Sequence, residues 1–373
     1  MKIGLIINPI AGMGGKAGLK GTDGAEVLAQ AISLGAKKES ASRTEQVLLP
    51  LARLNRTFSI MTCSGEMGED TCKKLGITPK LIIEVTIGNT TRSDTIKAVH
   101  KLVESRVALI LFSGGDGTAC DILTALPQEI PILGIPAGVK MHSAVFGTSP
   151  SAVATLVSRI IKNGSAQFPV RSAEIMDLDE GLRRHDEIRT KLMGYATIPS
   201  DRFLMQNPKS YAIAGDDQSI AGISEYLAEH LESTATYIVG PGRTTQKFLE
   251  RIGVLGTLLG IDILRGKELI GRDVNHRQLE ELSGDNSLYI ITGIIGGQGF
   301  LFGRGNQQIT PQVIRRVQKQ NILVVASPEK IFSLERQRLL IDTGDKNLDS
   351  ELTGYIKVRA NKYQAFILKV EAA

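Results

Sequence analysis

Leu109-Ile110-Leu111-Phe112-Ser113-Gly114-Gly115-Asp116-Gly117-Thr118 decides the reading of this 373-residue chain. Its apolar first half reads as a buried strand, and three glycines around one carboxylate make the turn that ends it. A helix-like segment follows. Glycine lets backbone N–H groups approach an anion with no Cβ in the way, and the helix start after Thr118 adds positive potential there. A simple phosphate cradle would avoid a carboxylate, because Asp116 repels phosphate. Asp116 makes sense as the acceptor of a proton from an attacking hydroxyl, or as an aid in holding Mg²⁺. The alternative is a Gly-Asp-Gly turn that only caps a helix. Five residues in this order after a buried strand favour phosphoryl chemistry, with Gly114, Gly115, Gly117 and Thr118 as backbone donors to phosphate.

Around this stretch, strands and helices alternate. Residues 2–8 read as a buried strand, followed by a glycine-rich stretch to about residue 24, long enough to suggest a functional loop. Helical periodicity is expected over 25–34 and 43–54, a second strand over 58–62, a helix over 66–75 and a third strand over 81–87. A helix should open between Asn89 and Asp94 and run to about Val103, because Thr and Asn cap well and Asp94 favours the first turn. Strands over 107–112 and 131–135 and a helix over 150–162 complete the series. Repeated βα units imply a doubly wound parallel sheet with ligands at the carboxyl ends of its strands. Asn8, Thr90, Asp116 and Pro136 each stand at or just beyond such an end. The segments around Asn8, 90–94, 114–118 and 138–143 are therefore expected to share one crevice. Asn8 reads equally as an Asn-Pro turn, and Thr90 and Asp94 as helix caps; a ligand role can coexist with either. In the last of these segments Gly138 gives close approach, Lys140 offers a point charge for phosphates, and His142 a second proton carrier or a plain polar residue.

The texture changes near residue 166. Strands are expected over 170–176 and 191–198, then a helix over 219–232, a strand over 235–239 and a helix ending near Ile252. Further strands are expected over 258–264, 288–292 and 322–326, and residues 355–370 alternate like a strand pair. Two glycine clusters stand out here. Gly240, Gly242, Arg243, Thr244 and Thr245 lie between a strand and a helix, which suits an anion or a tight turn. The stretch 296–306 holds five glycines around Phe300, Leu301 and Phe302. It suits a loop over a nucleotide or between domains, with Gln298, Arg304 and Asn306 as contacts, although core packing is the commoner fate of such phenylalanines.

Composition fits a soluble enzyme: 42% hydrophobic residues and 39 glycines suit an α/β protein of two domains. The net charge of +5 comes from scattered Lys and Arg, which excludes a nucleic-acid face and suits an anionic substrate. No apolar run spans a bilayer and no signal-peptide h-region follows Met1-Lys2, so a cytoplasmic protein without a membrane partner is expected. Cys63, Cys72 and Cys120 show no CxxC spacing, and the five histidines lie far apart. No protein metal site is expected; Mg²⁺ should come held through substrate phosphates.

The motifs also carry a resemblance. Gly114 to Thr118 is the signature shared by NAD kinases and by diacylglycerol- and sphingosine-type lipid kinases. The stretches 6–15, 18–24, 134–143 and 296–306 are similar to the ATP-NAD kinase-like family of bacteria and archaea, and the likeness runs from the first strand beyond residue 330. Cys120 departs from it, standing where the family leads one to expect a basic residue. The resemblance implies an N-terminal α/β kinase domain over 1–165 and a substrate-binding α/β or α+β domain with substantial strand content over 166–345. Residues 346–373 would then be strands packing back on a sheet. It also implies Asn8, Thr90 and Asp94 around a nucleotide, small-molecule nucleotides as partners, and self-association. The activity implied is ATP- or polyphosphate-dependent phosphorylation of the adenosine ribose 2′-hydroxyl of NAD, with Asp116 as the base. Alternatives are a kinase for another small hydroxyl compound or a lipid, and a nucleotide sensor without catalysis. The absence of a basic amphipathic helix with bulky anchors disfavours a lipid, and an intact Asp116 disfavours a sensor.

Overall fold

A computed structural model describes residues 1–15, 29, 31–36, 38–54, 58–85, 90–127, 129–138, 141–163, 168–178, 190–201, 204–205, 216–282, 287–295, 299–334 and 337–373. The chain divides into two compact units, the first made mainly of residues up to Pro208 and the second mainly of Lys209–Ala373.

In the first unit the apolar runs become β1 (Lys2–Ile7), β2 (Ser59–Cys63), β3 (Lys80–Ile83), β4 (Leu109–Gly114) and β5 (Ile132–Pro136). They pair parallel throughout, in the order β3-β2-β1-β4-β5. The intervening helices are α1 (Ser40–Ala52), α2 (Glu69–Lys74), α3 (Arg92–Glu104), α4 (Asp116–Ala125) and α5 (Pro150–Asn163). The register shows that the helices cover both faces. Gly4 lacks a side chain because a Cβ there would strike Leu102 of α3. Ser113 lies opposite Ile7, three residues along β1 and so on the other face, and its hydroxyl donates to the Ser40 carbonyl at the start of α1. Strand order reverses between β1 and β4, which is the place where open α/β sheets hold ligands. Strand β3 is shorter than expected, and residues 86–89 lie outside the described set. The helix expected over 66–75 splits into a 3-10 turn, Gly65–Met67, and α2 because Gly68 takes φ +152° between them.

The hairpin β6 (Val170–Leu178) and β7 (Thr190–Pro199) pairs antiparallel. It belongs to the first unit, where a boundary at residue 165 would have assigned it to the second. The reason is burial: Ala173, Ile175, Ala196 and Ile198 are part of the apolar core built around β1, β4 and β5.

In the second unit, α6 (Asp216–Glu229), β8 (Thr236–Val239), α7 (Arg243–Arg251), β9 (Asp262–Arg265), β10 (Glu268–Gly271), α8 (His276–Glu280), β11 (Leu288–Gly293) and β12 (Phe300–Phe302) follow in order. Then come α9 (Pro311–Arg316), β13 (Ile322–Val325), α10 (Pro328–Phe332), β14 (Arg338–Ile341), α11 (Lys346–Glu351), β15 (Gly354–Arg359) and β16 (Ala365–Ala372). Their nine strands form one mixed sheet, β10-β9-β8-β11-β13-β15-β16-β14-β12. The final pair, β15 and β16, therefore sits inside this sheet and not at its edge. The fold is α/β with a strand-rich second domain, as the sequence leads one to expect.

Gly134 of β5 tests the packing. A Cβ there would run into the Phe146 ring and come within 2.9 Å of Phe112. Gly134→Ala is expected to cost about 1–3 kcal/mol by overpacking, read as a lower denaturation midpoint at unchanged m-value.

Candidate active site

Strand β4 delivers the glycine motif to the reversal point, and Asp116 opens α4 there. Gly115, at the N-cap, has no side chain to cap the helix, and Ala119 N–H turns back to its carbonyl, at 3.1 Å. A helix start without a side-chain cap can offer the N–H groups of Gly117 and Thr118 to an anion. Among the described residues nothing lies within 4 Å of where a Gly117 Cβ would be, so none of them blocks approach to that turn. Gly115 instead faces backbone: Gly138, past the end of β5, would have its Cβ 2.7 Å from the Gly115 Cα. Gly138 and Ala137 both donate N–H to the Gly114 carbonyl at 3.1 Å. The two glycine segments are in direct contact because neither carries a side chain.

Asn8 joins them from the end of β1. Its N–H donates to the Ser113 carbonyl at 2.9 Å, its Nδ2 to the Thr118 hydroxyl at 2.9 Å, and its Oδ1 accepts from Ile10 N–H at 3.2 Å. Gly12, at φ +83°, passes so close to the Ala137 carbonyl that no Cβ fits between them.

Asp116 is only 7% exposed. Its Oδ2 accepts from the backbone N–H of His142 at 2.6 Å and its Oδ1 from that of Ser143 at 3.0 Å. Both bonds fix the carboxylate's orientation in the first turn of the helix. The geometry sets a fixed carboxylate beside a helix start without a side-chain cap, an arrangement suited to attack of a hydroxyl on a phosphoryl group.

Comparison with known families agrees with this chemistry. Residues 3–166 match the model of the ATP-NAD kinase N-terminal domain, and residues 233–370 that of the ATP-NAD kinase C-terminal domain. The chain belongs to the NAD kinase family. It is a phosphotransferase acting on an alcohol group. No curated protein and no solved structure gives a match.

The remaining candidates of this NAD kinase-family chain divide by location. Thr90 precedes α3, and Asp94 closes that helix start by accepting from Thr91 N–H at 2.8 Å and from the Thr91 hydroxyl at 2.9 Å. Arg92 brings the same helix start alongside α4 through its ion pair with Asp121, 2.7 Å. His142 is buried and meets Asp116 through its backbone. Lys140 and Gln298 lie outside the described residues. Cys120, one turn beyond Asp116, contributes no charge to phosphate. Burial, then the charges of Asp177, Asp116 and Asp121, push its thiol up to about 12.

In the second unit, Gly240 and Gly242 donate N–H to the carbonyls of Ile291 and Leu258, at 2.8 and 2.9 Å. The Thr245 hydroxyl donates to the Gly242 carbonyl, Arg243 pairs with Asp217, and Thr244 is half-buried. These bonds make a tight turn into α7. The segment expected as a loop over a nucleotide departs further, because Phe300–Phe302 is strand β12 and fully buried. Arg304 lies 3.4 Å from the Asp342 carboxylate and over the Phe300 ring. Asn306 accepts from Gly303 N–H at 3.1 Å and donates to the Leu301 carbonyl at 2.9 Å. Both side chains shape the end of that strand: the apolar middle found a sheet to pair with.

What sequence reasoning missed is the partner of Asp116. His142 and Ser143 act through backbone N–H groups, which every residue but proline possesses, so no side-chain pattern signals them.

Gly138→Ala is expected to push the two glycine segments apart and lower turnover by at least about tenfold, since misplacement at this scale is costly; steady-state kinetics beside a melting curve check it. Burial also raises the Cys63 and Cys72 thiols to about 12. All three thiols should therefore resist iodoacetamide at pH 8 in the native protein and react on unfolding. A raised thiol value means that the folded state holds the proton longer. This stability is full below about pH 9 and is lost as pH climbs toward 12.

Proposed function

We propose that the protein is an NAD kinase that transfers the terminal phosphoryl group of ATP or polyphosphate to the 2′-hydroxyl of the adenosine ribose of NAD. The observation that carries this reading is the fixed Asp116 carboxylate beside the open start of α4, in a chain of the NAD kinase family. The backbone N–H groups of Gly117 and Thr118 hold donor phosphates, and Asn8 fixes the Thr118 side chain. Asp116 takes the proton of the attacking hydroxyl. Positioning and charge stabilisation supply most of the rate, as is general for phosphoryl transfer.

Among the described residues, no group of three or more His, Cys, Asp or Glu side chains could hold a metal ion. One carboxylate at the loop fits a Mg²⁺ ion carried mainly by donor phosphates, where it would neutralise their charge. Among the described residues, no helix is long and apolar enough to cross a membrane. A small soluble acceptor accords with that.

Purified protein with NAD, Mg²⁺ and either ATP or polyphosphate should form NADP, and the productive donor identifies the phosphoryl source. Asp116→Asn should lower turnover by orders of magnitude. Its amide nitrogen would face a backbone N–H where an oxygen accepted one, so a modest fall in melting temperature is also expected. Wild-type turnover in that variant would remove Asp116 as the base. NADP formation with neither donor would point to another hydroxyl acceptor.

A further inference from the structure

The loop that grips Asp116 is itself held from outside the glycine motifs. Ser143 gives its N–H to Asp116 Oδ1, while its side chain exchanges two hydrogen bonds with one residue of β6. The Ser143 hydroxyl donates to the Met176 carbonyl at 3.2 Å and accepts from the Met176 N–H at 3.0 Å. One residue on, Ala144 N–H donates to the Glu174 carbonyl at 2.9 Å. The loop is thus laced to β6 at two successive places. The thiol of Cys120, from the helix that Asp116 opens, also reaches the Met176 carbonyl, at 3.9 Å. Strand β6 meets both the residue that grips the carboxylate and the helix that carries it. Ser143 is 1% exposed, so water does not substitute readily for its hydroxyl.

We infer that Ser143 is a positioning residue for phosphoryl transfer: its hydroxyl locks the loop to Met176 and so holds the backbone N–H groups that orient Asp116. The inference rests on Asp116 being the base. Ser143 touches no substrate in this scheme and acts through Asp116 alone. A loosened loop lets the carboxylate turn from the attacking hydroxyl, a loss in the chemical step and not in the binding of NAD.

The test is a double-mutant cycle on the full chain, with rates corrected for the folded fraction. Ser143→Ala should lower kcat about 10- to 100-fold and leave KM for NAD within about twofold. In the Asp116→Asn background the same change should alter the residual rate by less than about twofold, because there is no base left to misplace. An equal loss in both backgrounds would overturn the inference, for Ser143 would then act on the fold alone. Wild-type kcat in Ser143→Ala would overturn it as well. Should Ser143→Ala not fold, Ser143→Cys, whose thiol is a weak donor and acceptor in a similar volume, enters the same cycle with the same criteria. Wild-type turnover in Asp116→Asn alone would reject the base itself, a distinct outcome read from a different variant.

Discussion

Two backbone N–H groups on one buried carboxylate govern the architecture of the site. Asp116 enters the first turn of α4 directly from β4, so its position is fixed along the chain by the strand. Its orientation is fixed across the chain by His142 and Ser143, which follow β5. A buried carboxylate without such donors would carry a large desolvation cost and would tend to bind a proton. The two donors offset part of that cost. The contact of Gly115 with Gly138 brings the two segments near enough for this to happen.

In the proposed scheme the same arrangement lets a carboxylate and a phosphate be neighbours. The carboxylate points into the N–H groups of the loop after β5, whereas no described residue covers Gly117, the side from which the proposed donor phosphates would approach the helix start. Charge repulsion is moderated by the donors on both. Asn8 adds a third strand end to the assembly and leaves the Thr118 side chain one defined position. Three loops, from β1, β4 and β5, therefore behave as one body at the point where strand order reverses.

Much of this was legible beforehand. The strand ending in Gly114-Gly115-Asp116-Gly117-Thr118, the parallel βα series and the placing of Asn8 and Pro136 at strand ends all follow from periodicity and turn chemistry. The second half was read less well for physical reasons. Strands β10, β12 and β14 have three or four residues each, too short for alternation to declare itself. Arg304 and Asn306 looked like ligand contacts because polar residues among glycines are ambiguous until their partners are known. In the structure their side chains bond at the end of β12.

The sequence by itself determined the family and the α/β class, and it singled out the residue proposed as the base. Those properties depend on residue type and local spacing, which a linear chain displays. Tertiary structure alone decided what holds Asp116 in place, that the hairpin β6–β7 serves the first unit, and that β15 and β16 lie inside the second sheet. Each of these depends on backbone groups or apolar faces meeting across long stretches of chain. Backbone N–H and C=O groups are the same at nearly every residue, so their partners cannot be read before the chain is folded.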